Sequence, residues 1–131
     1  MRVTALYAAL LAAWFVVLSL RVIRRRGAAK ISLGDGGDKI MQRMIRAQAN
    51  FAEYVPLALL LIALLEWSGV TPYVLNALGA TLFVARVLHG YALSFTPQFS
   101  FGRVWGTGLT FLVLLAASVM CLYQALRAHW A

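Results

Sequence analysis

Four apolar segments, each long enough to cross a membrane as a helix, constrain this chain more than any other feature. A helix needs about 20 apolar residues to span about 30 Å of hydrocarbon. The segments run from Val3 to Ile23, from about Ile40 to Trp67, from Tyr73 to about Phe95, and from Val104 to about Leu126. Because unpaired backbone polar groups cannot face lipid, the sequence predicts an all-α membrane protein, a bundle of four transmembrane helices.

The segments predict one integral membrane domain over residues 1–131, with helices at about 3–26, 38–67, 72–95 and 102–128. Asp38 is expected to cap the second helix, Pro56 to kink it, and the Gly34–Gly37 segment to form a turn before it. Pro97 is expected to end the third helix. The first segment is followed by arginines, so we expect a retained span and not a cleaved signal peptide.

The net charge of +8 is distributed unevenly between the two ends of the predicted bundle. Of 12 Lys and Arg residues, ten flank the first and third connections, and only Arg2 and Arg127 belong to the other end. The positive-inside rule therefore predicts that these two connections are cytoplasmic, with both termini on the non-cytoplasmic side. Topology and anionic lipid headgroups account for this charge, so membrane lipids are expected partners and nucleic acid is not.

A polar stripe opens the second apolar segment. Arg43, Arg46, Asn50 and Glu53 fall within an arc of roughly 80° at about 100° per residue. Charge in a lipid-facing position is costly, so such a stripe is expected to face protein and to have a function.

The predicted topology brings further polar residues to the same end of the bundle. The third helix ends there with Arg86 and His89, one turn apart, and the fourth begins there with Arg103. Several cations with a carboxylate, an amide and an imidazole suit a small zwitterionic ligand that carries more than one carboxylate. No metal site is predicted.

The helix-two motif resembles that of the MAPEG family (membrane-associated proteins in eicosanoid and glutathione metabolism). The matching run is Arg43-x-x-Arg46-Ala-Gln48-x-Asn50-x-x-Glu53-Tyr54-x-Pro56, supported by the Gly-Asp-Gly-Gly loop before it and Ala85-Arg86-x-x-His89 after it. The resemblance is to bacterial members of the microsomal glutathione transferase type. It implies a homotrimer that binds glutathione, as co-substrate, between neighbouring subunits near the cytoplasmic face.

The resemblance also implies roles for individual residues. The expected glutathione-binding residues are Arg46, Gln48, Asn50, Glu53, Tyr54, Arg86 and His89. Arg103 matches the family's catalytic arginine, and an adjacent guanidinium stabilises a thiolate that is otherwise mostly protonated at neutral pH. The position one turn beyond the histidine, often tyrosine in relatives, is Leu93 here.

Three functions follow from these observations. The leading one is a glutathione transferase or peroxidase for detoxification, acting on hydrophobic electrophiles or lipid hydroperoxides. The second is a non-catalytic protein of the same fold that binds lipid or glutathione. The third is a small multidrug exporter, which the fixed charge bias and the absence of an acid in the first segment disfavour. For the stripe itself, the alternatives are arginines that snorkel to the headgroups and a structural network between helices.

Overall fold

The computed structural model describes residues 1–96 and 101–130, with side chains described up to residue 127. Its four helices are α1 (Arg2–Ala29), α2 (Lys39–Trp67), α3 (Pro72–Ser94) and α4 (Phe101–Trp130). All four are long and apolar enough to span a membrane. The four-helix all-α prediction is therefore confirmed, whereas the predicted break at Pro97 lies outside the described residues. Pro56 lies within α2.

The helix ends explain why the chain turns where it does. Lys30 ends α1 in the left-handed conformation, and Gly69 has φ 78° between α2 and α3, where Pro72 occupies the first turn of α3. The predicted turn before α2 is present, with positive φ at Gly34, Gly36 and Gly37. The Glu66 carboxylate joins the end of α2 to the start of α1. It accepts hydrogen bonds from the backbone N–H groups of Val3 at 3.0 Å and Thr4 at 2.9 Å.

The two middle helices form the centre of the bundle. Both α2 and α3 pack against each other and against α1 and α4, while α1 and α4 do not contact each other in the described residues. The core between them is apolar and includes Leu11, Leu18, Phe51, Ile62 and Leu82. Two flanks result, one between α1 and the central pair and one between α4 and the central pair.

Glycines let α4 approach α3 closely. A Cβ atom at Gly106 would lie 2.6 Å from the carbonyl oxygen of Ala85 and 2.7 Å from His89 Cβ. A Cβ atom at Gly102 would lie 3.0 Å from the carbonyl oxygen of Leu88. The close approach places the start of α4, and with it Arg103, beside the polar end of α3.

The predicted cap of α2 is confirmed. Asp38 Oδ1 accepts hydrogen bonds from the N–H groups of Ile40 at 2.9 Å and Met41 at 3.2 Å, and Oδ2 accepts one from Arg25 Nε at 2.8 Å. Desolvation raises the pKa of this carboxyl, but the bonds from Met41, Arg25 and Ile40 outweigh that effect and lower the pKa below its usual value of 3.8.

The lowered pKa predicts how Asp38 contributes to stability as pH changes. A carboxyl whose folded-state pKa lies below its unfolded value stabilises the fold above the unfolded pKa, and this contribution disappears as pH falls through the folded pKa. We expect Asp38→Ala to unfold more readily than the wild type at pH 7, with the difference shrinking below about pH 4. Circular dichroism of the detergent-solubilised protein across this range measures it, and a difference that grows on acidification contradicts it.

Candidate functional site

A cavity of about 450 Å³ opens at the basic end of the bundle, on the flank between α4 and the central helix pair. Its walls come from the first connection, the first three turns of α2, the end of α3 and the start of α4. The lining residues are Gly34, Asp35, Gln42, Arg43, Ile45, Arg46, Ala49, Leu93 and Arg103. This volume lies within the range of about 300–1,000 Å³ that is typical of small-molecule sites.

The charged groups around this cavity are mostly cationic. Three guanidinium side chains line it, those of Arg43, Arg46 and Arg103, together with one carboxylate, that of Asp35. Asp35 Oδ1 accepts a hydrogen bond from the Gly37 N–H at 3.0 Å, which holds the carboxylate in the turn. The wall therefore offers several sites for carboxylate groups of a ligand and one for an ammonium group.

The side chains of the predicted stripe on α2 point in different directions in the structure. Arg46 Nη1 lies 3.3 Å from Glu53 Oε1, and both side chains point outward, with 62% and 46% of their surfaces exposed. Asn50 instead reaches inward to α3. The expectation that the whole stripe faces protein is therefore not met within one protomer, because the inward face of α2 is filled by apolar residues such as Phe51 and Val55.

Beneath the cavity, α3 carries two buried polar side chains. Arg86 is only 1% exposed and His89 only 3%. Arg86 Nη2 donates to Asn50 Oδ1 at 2.9 Å. Within the described residues, Arg86 Nε and His89 Nδ1 have no hydrogen-bond partner. Buried polar groups are normally paired, so these two atoms mark a place where a further polar group is needed.

The buried layer adjoins the cavity wall along α3 and α4. Leu93, one turn beyond His89 on α3, lines the cavity. Gly106, one turn beyond Arg103 on α4, packs against His89. The Arg86 and His89 side chains therefore lie next to the cavity without lining it.

Two of the predicted ligand-binding residues lie elsewhere in the protomer. Gln48 Nε2 donates to Ser19 Oγ on α1 at 2.8 Å. Tyr54 packs edge-on against Phe111 of α4, with ring centroids 5.5 Å apart. Of the seven predicted ligand-binding residues, only Arg46 lines the cavity. For the other six, contact with a ligand stays a prediction: Gln48, Asn50, Glu53, Tyr54, Arg86 and His89.

The cavity also contains residues that the motif did not single out. Gln42, Ile45 and Ala49 lie within a turn of Arg46, so helical periodicity places them next to the stripe. Asp35 belongs to the glycine-rich segment, which the sequence identified only as a turn. The sequence offered one indication that Asp35 could lie at the cavity: a short connection between two helices must stay close to both helix ends.

Four apolar helices with a cationic cavity at one end define a multi-pass membrane protein. Comparison with known proteins identifies the family. The MAPEG family profile matches residues 4–123, and this chain belongs to the MAPEG family.

Curated relatives agree with this assignment. The chain is 35% identical over 89 residues to a protein named inner membrane protein YecN from Escherichia coli strain K12, an alignment that covers 68% of each chain. The YecN protein of Escherichia coli O6:H1 strain CFT073 gives the same identity and coverage.

Proposed function

We propose that the protein is a glutathione-dependent membrane enzyme that conjugates hydrophobic electrophiles or reduces lipid hydroperoxides. The observation that carries the proposal is the cavity in which Arg43, Arg46 and Arg103 face a single lining carboxylate, Asp35. Glutathione carries two carboxylates, one ammonium group and one thiol. The cavity's charges are opposite to those of the glutathione backbone, and membership of the MAPEG family supports the same ligand.

In this proposal each charged group has a chemical task. The guanidinium groups of arginine bind carboxylates through two parallel hydrogen bonds. Asp35 and Glu53 are the nearby acceptors for the ammonium group. Arg103 stabilises the thiolate of glutathione. The thiolate then attacks the electrophile, forming a carbon–sulfur bond while the leaving group departs with its electron pair. Hydrophobic substrates reach the site from the bilayer.

We further propose that the protein is a homotrimer in a bacterial inner membrane. Arg46 and Glu53 expose about half of their surfaces on the side of an apolar helix, where lipid contact is unfavourable. A neighbouring protomer that covers them removes this cost and completes the site between subunits. The name of the relative YecN supports the inner membrane, and the ten basic residues around the first and third connections support cytoplasmic placement of that end.

The proposal predicts that replacing Arg103 lowers the rate of conjugation without abolishing glutathione binding. Titration calorimetry of the purified trimer should show glutathione binding with proton release, because the bound thiol ionises. Arg103→Gln should keep binding but lose proton release, and its conjugation of a generic aryl halide should fall by about 10²–10³-fold, the usual effect of removing one charge-stabilising donor.

Arg127→Gln is the matched control, since Arg127 is an exposed arginine at the opposite end of α4. It should bind and react like the wild type. Absence of binding heat from the wild type removes the glutathione site altogether. Binding without turnover of any electrophile or hydroperoxide supports the non-catalytic alternative.

A further inference from the structure

A second basic groove lies on the other flank of the central helix pair, between α1 and the ends of α2 and α3. Three adjoining pockets of about 260, 240 and 290 Å³ meet at one side chain, that of Arg21. We call this region the α1 groove; its defining residues are Leu20, Arg21, Arg24, Lys39, Met44 and Phe95. Arg103, Arg46 and Asp35 do not line it, whereas Arg43 and Leu93 line both this groove and the first cavity.

Arg21 is held in place by the end of α3. Its Nε donates to Ser94 Oγ at 2.9 Å, and its Nη2 donates to the Ser94 carbonyl oxygen at 2.6 Å. The guanidinium also lies over the Phe95 ring, 3.7 Å from the ring centroid. A guanidinium fixed on three sides loses little conformational freedom when it binds an anion, so it is pre-organised for one.

Two further cations of the α1 groove, Arg24 and Lys39, have no acidic partner in the described residues. Asp38, the acid next to Lys39 along the chain, already binds Arg25 and the first N–H groups of α2. The groove is therefore strongly cationic and has no carboxylate in its lining.

An apolar surface continues from these cations along α1. Val17 and Leu20 line the pocket that Arg21, Arg24 and Phe95 close at its basic end. Both residues lie within the membrane-spanning part of α1 and are exposed, by 39% and 44%. The site thus combines cations at the end of the span with an apolar surface along the membrane-spanning part of α1. This combination matches an amphiphile with an anionic head.

From this geometry we propose that the α1 groove binds the phosphate headgroup of an anionic phospholipid, with an acyl chain lying along Val17 and Leu20. Arg21 contacts the phosphate directly, and Arg24 and Lys39 neutralise the headgroup from either side. Basic residues at the end of a span attract anionic lipids, with about 1 kcal/mol per Lys or Arg near the surface.

The test uses phosphatidylglycerol and the zwitterionic phosphatidylcholine, each titrated into the purified protein in detergent micelles. Native mass spectrometry measures the dissociation constant of each lipid. The wild type should prefer phosphatidylglycerol. In the Arg24→Gln/Lys39→Gln double variant, binding of phosphatidylglycerol should weaken about 30-fold, as expected for two charges of about 1 kcal/mol each.

Arg2→Gln/Arg127→Gln is the matched control, since it removes the same net charge at the opposite end of the bundle. It should retain the wild-type preference, and circular dichroism should show that both double variants are folded. Equal weakening in the two double variants, or none in either, overturns the proposal. Inorganic phosphate should give no bound species at these concentrations; a phosphate adduct that displaces phosphatidylglycerol reassigns the groove to free phosphate and also overturns it.

Discussion

Replacing Asn50 with leucine is expected to lower the free energy of unfolding by about 3 kcal/mol, the upper end of the usual cost of leaving a buried donor without an acceptor, because the donor is charged. Asn50 Oδ1 is the acceptor that the described residues provide for the Arg86 side chain, at 2.9 Å. Arg86 is 1% exposed, so in Asn50→Leu the guanidinium stays buried without a hydrogen-bond acceptor. Unfolding in mixed detergent micelles with increasing dodecyl sulfate, followed by circular dichroism, measures the loss.

A double variant provides the control for this prediction. When both partners become apolar groups of similar size, no buried polar group is left unpaired, and the effect on stability is small. Asn50→Leu/Arg86→Met should therefore recover most of the stability that Asn50→Leu loses. If the double variant is less stable than either single variant, the hydrogen bond is not the source of the effect.

Gly106→Ala is expected to destabilise the bundle by about 1–3 kcal/mol, the range for overpacking a tight core. The new Cβ would lie 2.6 Å from the carbonyl oxygen of Ala85 and 2.9 Å from the backbone nitrogen of His89, so α3 and α4 must separate. Backbone atoms cannot rotate away as a flexible side chain can. Because His89 lies at this contact and Arg103 precedes it by one turn on α4, the proposed binding of glutathione should weaken together with stability.

The same helix offers a matched glycine two residues away. A Cβ at Gly108 would meet no atom within 4 Å. Alanine is favoured over glycine in a helix by about 1 kcal/mol, so Gly108→Ala should leave the unfolding midpoint unchanged or raise it. Equal stability of the two alanine variants would falsify the close packing of α3 on α4.

Much of the fold follows directly from the sequence because membrane helices are governed by length and hydropathy. The four apolar segments became four helices, and Asp38 caps α2 as its position before the apolar run predicted. The central position of α2 and α3 was not predictable in this way. It depends on close contacts such as the one at Gly106, and a glycine in a sequence does not reveal which neighbour approaches it.

The lining of the cavity could be predicted from the sequence only in part, and the physical reason differs between residues. Arg46 and Arg103 line one cavity because the alternating direction of the helices brings the start of α2 and the start of α4 to the same end. Asp35 was missed because an irregular turn has no periodicity from which to infer direction. Gln48 lies roughly 200° around the helix from Arg46, so it faces α1 in the protomer.

Leu93 lies between two pockets and lines both of them. It lines the cavity beside α4 and also the pocket of about 260 Å³ beside α1, and Arg43 lines both as well. A ligand that displaces this leucine on one side narrows the space on the other. Any such influence must be mutual, since the free energy that couples two occupancies is the same whichever ligand binds first. Under the two proposals, Leu93 and Arg43 are the residues through which a ligand in one pocket would change the shape of the other.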